Sequence, residues 1–284
     1  MDEASAAPRD RDQIGRNTVS ILEAILLGVL QGLTEFLPVS SSGHLALAEH
    51  FLGTRSPGVT FEVFVHFGTA LAVLWFFRSR VAAILVAVGR WAARREYDRA
   101  DARLALYIVI GTIPAAVIGL TLDDLVGRLF DNPVLVSIML LVTGVVLWLT
   151  RRIPPGGRRQ ETVRDAVLIG LAQAAAIMPG ISRSGSTISA GLALGLDRRR
   201  AAEFAFLLSI PVILGATAAS IGDIAGVGYE MAWATFAGTV AAFVSAIPAI
   251  AILMKLVTVG TFHRFAYYCW AVGAFGLVFS LSLG

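Results

Sequence analysis

Five stretches of this chain, Leu104–Thr121, Pro133–Thr150, Phe204–Gly222, Met231–Met254 and Phe265–Gly284, contain no Asp, Glu, Lys or Arg. Each approaches the ~20 residues needed to cross a bilayer core as a helix. Lipid offers no partner for backbone N–H and C=O groups, so only helices or closed barrels span it. Composition points the same way: 56% of the 284 residues are hydrophobic and 15% are charged, against about 25% charged in a soluble domain. Mean hydropathy is +0.75. The charge-free runs exclude a soluble protein with an oversized core, and the fold class expected is an all-α integral membrane protein.

Two hydroxyl-rich strings interrupt this apolar chain: Gln31-Gly-Leu-Thr-Glu35-Phe-Leu-Pro38-Val-Ser40-Ser41-Ser42-Gly43-His44, and Gln173 through Pro179-Gly180-Ile-Ser182-Arg183-Ser184-Gly185-Ser186-Thr187. Irregular polar backbone at membrane depth is tolerated only inside protein or along a wet cavity. Ile21–Phe36 would span about 24 Å as a helix, short of a ~30 Å core, and Gly43–Gly53 is shorter still. Val163–Met178 and Ser184–Leu196 repeat the arrangement. These four half-length helices read as two re-entrant hairpins, 21–53 and 163–196. Full spans are expected at 61–77, 104–121 and 133–150, then 204–222, 231–254 and 265–283. Pro114 and Pro211 are expected to bend their spans, and Pro248, near a span end, to do less. Residues 1–18 read as a flexible polar tail rather than a cleavable signal peptide. The lone Cys269 allows no intrachain disulfide and reads as packing.

Charge gives the sidedness. The formal charge of +3 is small, and the arginine-rich stretches are connections, Arg78–Arg103, Arg151–Arg164, Asp197–Arg200 and Lys255–Arg264. The connections Leu122–Asn132 and Asp223–Glu230 are acidic, with Arg128 as their one basic residue. This is a topology signal and not a nucleic-acid footprint. With six spans and two hairpins that do not cross, all basic connections fall on one side, taken as cytoplasmic by the positive-inside rule. Both termini are then periplasmic, the first hairpin enters from outside and the second from the cytoplasm. Shifting the sequence by 142 places superposes Gly28 on Gly170, Gln31 on Gln173, Ser40 on Ser182, Ser42 on Ser184 and Gly43 on Gly185. Each half is a hairpin plus three spans, so the halves, 19–150 and 163–284, run in opposite directions. Such an inverted-topology repeat places its site near the midplane, where the hairpin tips meet.

The chemistry follows from what stands at those tips. Ser40-Ser41-Ser42-Gly43 and Ser182-Arg183-Ser184-Gly185 open half-helices, whose free N–H groups and partial positive charge receive anions. Ser before a helix is most often a cap, but capping does not account for Arg183, whose planar fork suits phosphate. Glu35 is an expensive carboxylate in an apolar stretch unless paired; Arg183, His44 or a divalent cation would serve. A purely structural Glu35–Arg183 pair is the plainer alternative. Gln31 lies one turn before Glu35 on the same face and offers a neutral oxygen. One or two carboxylates plus phosphate oxygens suffice for Mg2+, so Glu35 and Gln31 are the candidate metal ligands. His44, three residues after Ser41, is placed to act as a base toward a hydroxyl or water. His66 reads as a packed polar residue or cavity lining, and Glu49, Glu62 and Glu203 as interfacial.

Gln31-x-x-x-Glu35, the Pro-Val-Ser-Ser-Ser-Gly-His44 that follows, and Pro179-Gly-x-Ser-Arg-Ser-x-x-Thr187 resemble the paired signatures of the bacterial undecaprenyl-diphosphate phosphatase (bacitracin-resistance) family. The resemblance runs from about Ile21 to the C-terminus. That family takes Glu or Gln at the first motif position; with Gln31 here, Glu35 is the only motif carboxylate. The resemblance implies a hydrolase that converts undecaprenyl diphosphate to the monophosphate on the outer face of the inner membrane, with a divalent metal such as Mg2+ or Ca2+. It implies roles in lipid-carrier recycling and bacitracin resistance. In this reading Glu35, Ser41, His44 and Arg183 are catalytic, with Ser41 the candidate nucleophile and direct attack by water the alternative. Gln31, Ser40, Ser42, Gly43, Ser182, Ser184, Gly185 and Thr187 hold the substrate. The partners expected are the polyprenyl diphosphate and membrane lipid, with a homodimer left open. The rival reading is a secondary transporter or flippase of a lipid phosphate or organic anion, because inverted repeats with broken helices are transporter architecture.

Cysteines introduced at Asp124 or Asp223 are expected to label from the periplasm, and those at Arg158 or Arg199 only from the cytoplasm. Labelling at Arg158 and Arg199 from opposite sides would show that the second hairpin crosses the membrane.

Overall fold

The computed structural model describes residues 20–52, 59–130, 132–220 and 229–283, without the side chains of 48–52, 59, 123–126 and 283. The expected tail at 1–18, Gly53, Asp131 and Asp223, and the side chains of Glu49, Asp123 and Asp124, lie outside that set. The described residues form twelve α-helices and no strand.

Two pairs of short helices carry the polar strings. The first, α1 (Ile21–Phe36), begins with a capping box between Ser20 and Glu23. It ends at Leu37, because the Pro38 ring forces the preceding residue out of the helical region, and Leu37 is extended at φ −61°, ψ 142°. The chain re-enters a helix at α2 (Ser41–Leu52). The second pair repeats this grammar: α8 (Val163–Ala175) has a Thr162–Asp165 capping box, and α9 (Arg183–Ala193) is capped by Ser182. Between them α8 gives way after Ala175 to turns through 176–179, and Gly180, at φ +91°, makes a turn that a side chain would strain.

Among the described residues five helices are long and apolar enough to cross a membrane: α5 (Arg99–Thr121), α7 (Pro133–Leu149, continued by one 3-10 turn), α10 (Arg198–Ala219), α11 (Tyr229–Val259) and α12 (Phe265–Leu283). The sixth expected span is α3 (Val59–Phe76), which meets α4 (Arg78–Ala92) at an angle of 81°. A short α6 (Asp123–Phe130) completes the set. Helix α4 corrects the reading of Arg78–Arg103 as a plain connection. Its arginines bracket an apolar run, Val81–Val88, that buries Ile84 and Ala87 and leaves Leu85 and Val86 exposed, the pattern of a helix lying in a membrane interface. Helices α5, α10 and α11 continue through Pro114, Pro211 and Pro248. Pro248 lies inside a helix that runs on to Val259, not near its end.

Each hairpin's first helix packs against a span distant in sequence, α1 on α11 and α8 on α5. Small residues permit the approach: a methyl at Gly28 would collide with the Gly238 carbonyl, and one at Gly170 with the Gly111 carbonyl. Such contacts suit a membrane interior, where helices associate through close packing rather than apolar burial. Large apolar side chains on the outer faces, among them Leu26, Leu106, Leu120, Phe275 and Val278, are exposed, as lipid-facing residues are. At the end carrying the basic connections, Arg80 pairs with Asp101 and Glu203, and Arg200 with Glu203 and Glu161. Arg158 pairs with Asp165 at the foot of α8. Glu203, expected at an interface, is thus a node tying α4 to α10.

Candidate active site

The hairpin tips meet inside the helical bundle, with Gly43 of α2 close against Gly180: a Cβ at Gly43 would stand 3.1 Å from the Gly180 Cα. Glu35, in the last turn of α1, is 6% exposed and joins the two halves. Its Oε1 accepts from Arg183 Nη2 at 2.6 Å, and its Oε2 accepts from Gln31 Nε2 at 2.8 Å and Ser41 Oγ at 2.7 Å. His66 Nε2, from α3, stands 3.4 Å from the same Oε2. One carboxylate therefore gathers groups from four helices: α1, α2, α3 and α9. A second guanidinium nitrogen, Arg183 Nη1, has no protein partner, nor has Gln31 Oε1 in its fully buried side chain.

A polar cavity of about 130 Å³ opens on this cluster, lined by Glu35, Ser40, Ser41, Ser42, His66, Phe130, Ala176, Ile177, Ile181, Ser182 and Arg183. On the far side of the ion pair lies a pocket of about 10 Å³, lined in part by Ser184, Thr187 and Ser209. That is room for about one water.

The two serine strings are built alike. Ser40 Oγ accepts from Gly43 N at 3.2 Å and lies 3.3 Å from Ser42 Oγ; Ser182 Oγ accepts from Gly185 N at 3.1 Å and lies 3.2 Å from Ser184 Oγ. Ser40 and Ser182 thus cap their own helices, and the N–H groups of Gly43 and Gly185 are consumed in that capping. What each string leaves for an anion is the first two N–H groups of its helix, those of Ser41 and Ser42 and those of Arg183 and Ser184. Thr187 Oγ1 donates to the Arg183 carbonyl at 2.8 Å and faces the inner pocket. Ser184 Oγ reaches across to the Leu37 carbonyl at 3.3 Å and ties the tips together. Thr143 of α7 holds the second tip by donating to the Gly180 carbonyl at 2.9 Å and accepting from Ser182 N at 3.1 Å.

The structure separates His44 from the cavity. Its Nδ1 is 2.8 Å from the Ser40 carbonyl and its Nε2 2.8 Å from the Tyr268 hydroxyl, with the two rings stacked. The ring does not line the cavity, and Ser41 finds its acceptor in Glu35. The group within hydrogen-bond reach of the Ser41 hydroxyl is the carboxylate, not the imidazole. His66, read from the sequence as packing or lining, does line the cavity beside Glu35; a lone histidine in an apolar span was its only signal. Thr143 and Phe130 carried none.

Among the described residues no three His, Cys, Asp or Glu side chains converge as a ready metal centre. Glu35 and the orphaned Gln31 Oε1 fit two positions of a magnesium or calcium shell, with the remainder drawn from ligand oxygens and water.

A family profile described as Bacitracin resistance protein BacA matches residues 24–275. Among curated relatives, the undecaprenyl-diphosphatase of Desulforapulum autotrophicum is 43% identical, over 92% of this chain and 98% of its own. That of Desulfosudis oleivorans is 45% identical over 89% and 96%, and that of Syntrophotalea carbinolica 46% identical over 93% and 100%.

Purified protein in detergent is expected to bind inorganic diphosphate, read by calorimetry. Arg183→Lys is expected to weaken that binding by about ten-fold or more, because a point charge cannot hold Glu35 with one nitrogen and an anion with the other. Unchanged binding would reduce Arg183 to a structural partner of Glu35.

Proposed function

Because the chain belongs to the Bacitracin resistance protein BacA family, we propose that it is a membrane-embedded undecaprenyl-diphosphatase. It hydrolyses undecaprenyl diphosphate to undecaprenyl phosphate and inorganic phosphate, recycling the lipid carrier of cell-wall synthesis and conferring bacitracin resistance. The observation that carries the chemistry is the 2.7 Å hydrogen bond from Ser41 Oγ to Glu35, beside Arg183 in one cavity.

The diphosphate enters the cavity with its prenyl tail running out between helices into the bilayer. Arg183 Nη1 and the first-turn N–H groups of α2 and α9 receive its oxygens. Ser41 Oγ attacks the terminal phosphorus and passes its proton to Glu35. The bond from that phosphorus to the bridging oxygen breaks, Glu35 passes the proton to that oxygen as undecaprenyl phosphate leaves, and the phosphoryl group rests on Ser41 with Glu35 ionised again. Water then attacks the phosphoserine with Glu35 again as base, releasing inorganic phosphate and restoring the hydroxyl. Positioning and charge stabilisation supply most of the catalysis in phosphoryl transfer. Glu35 and Gln31 would hold a Mg2+ or Ca2+ ion, which would supply neutralisation of the phosphate charge.

The architecture proposed with this reaction is the inverted repeat. The like-built serine strings support it, as does the reciprocal packing of α1 on α11 and α8 on α5. Within it the halves have diverged: at the shift of 142, Glu35 falls on Ile177 and Ser41 on Arg183. One half supplies base and nucleophile, the other the cation. The cavity opens to the periplasmic face of the inner membrane, as the acidic connection bearing Phe130 at its edge suggests.

The test is phosphate release from a C55 diphosphate by purified protein. Ser41→Ala is expected to abolish turnover, and acid quenching of the parent enzyme is expected to trap phosphoserine. If water attacks directly, Ser41→Ala loses one neutral donor, worth ~1–3 kcal/mol or one to two decades, and keeps measurable activity. Substantial turnover in Ser41→Ala without trapped phosphoserine would overturn the covalent route and leave Glu35 activating water.

A further inference from the structure

We propose that Tyr268 is a positioning residue for this reaction: acting through His44, it fixes the Ser40 peptide and so the direction in which Ser41 presents its hydroxyl to Glu35. The inference rests on the hydrolase reading above. Ser40 is one of two non-glycine residues with positive φ among the described residues, at 65°. A left-handed serine is a sparsely populated state that persists only where its surroundings over-determine it, and such states gather at functional sites. Here the determinants can be named. Ser40 Oγ is committed to Gly43 N, and the Ser40 carbonyl accepts from His44 N at 3.1 Å and from His44 Nδ1 at 2.8 Å. A carbonyl can only accept, so Nδ1 carries the ring proton. In the neutral ring Nε2 is then an acceptor, and the group 2.8 Å away is the Tyr268 hydroxyl, which donates. The rings stack with centroids 5.6 Å apart and 9° between planes. The Ser40 carbonyl thus sets the tautomer of His44, Tyr268 holds its tilt from the other side, and His44 holds the peptide immediately before Ser41.

Neither residue touches the reacting cavity. Tyr268 lines a separate, largely apolar groove of about 400 Å³ with Leu37, Val39 and Phe265. The chain runs from Tyr268 on α12, through His44 and Ser40, to Ser41, and reaches the chemistry from behind. The other hairpin is braced in the same manner, since Thr143 of α7 holds Gly180 and Ser182 directly. Helices α7 and α12 pack together, so the two tips are fixed by one helical pair. Loss of activity on removing His44 would therefore not by itself mark it as acid or base.

Tyr268→Phe keeps the stacked ring and deletes the hydroxyl. In hydrolysis of a C55 diphosphate, kcat is expected to fall about ten-fold, as one hydrogen bond's loss implies, with KM and the thermal unfolding midpoint unchanged. In a His44→Asn background, which keeps a donor near Ser40 but cannot reach Tyr268, adding Tyr268→Phe is expected to change nothing further. An unaltered kcat in Tyr268→Phe, losses that multiply in the double variant, or a kcat loss that tracks a lowered unfolding midpoint would each overturn the inference. Release of phosphate by the parent protein separates this failure from that of the hydrolase reading: a parent that releases none sinks both.

Discussion

The buried pair of Glu35 and Arg183 is the contact on which this molecule turns. A carboxylate 6% exposed in a helical bundle would be expensive alone, and breaking a buried pair typically costs about 3–5 kcal/mol. The two groups lie 148 residues apart on different hairpins, so each hairpin needs the other to hold its charge. The same interdependence makes the site. Glu35 Oε1 is given to Arg183, while Oε2 remains the acceptor for Ser41 and Gln31. Arg183 in turn keeps one nitrogen free. A buried ion pair is weak evidence for stability, and here its unspent valences say more: an acceptor beside a hydroxyl, and a cation facing a polar cavity.

Stopping four helices inside the bundle creates a second constraint, because their ends leave N–H and C=O groups where water is scarce. The serine strings meet it. Ser40 and Ser182 close their own first turns, Ser184 spans to Leu37, and Thr143 and the His44–Tyr268 pair hold the tips from outside. Capping and function are divided among the serines rather than shared by each. Ser41 is the hydroxyl of the first string that is bonded to the carboxylate.

The fold class was legible because lipid leaves so few solutions to a charge-free apolar run. The start of α7 at Pro133 and the end of α1 before Pro38 were legible because proline punctuates helices strongly. Helix α4 was not: its arginines outweighed the apolar run between them, and charge identifies a surface without saying whether the chain there is helical. At the site, Gln31 and Glu35 were legible as a pair one helical turn apart, and Arg183 as a cation with nothing else to do at a helix start. His44 misled. Its spacing from Ser41 was sound helical reasoning, but the ring turns to a hydroxyl 224 residues away, and no local pattern announces such a neighbour. His66 and Thr143 were obscure for the same reason, since they come from the spans that surround the hairpins.

The central claim is that both hairpin tips grip one diphosphate with its terminal phosphorus facing Ser41. An experimental structure with a hydrolysis-resistant methylene-bridged analogue of the lipid diphosphate tests it most directly. The bisphosphonate is expected between the first turns of α2 and α9, with Arg183 Nη1 on its oxygens, Ser41 Oγ in line with the bridging carbon and the tail passing into the bilayer. Density for the head group elsewhere, or one seated against His44 and Tyr268 with Ser41 turned away, would contradict it.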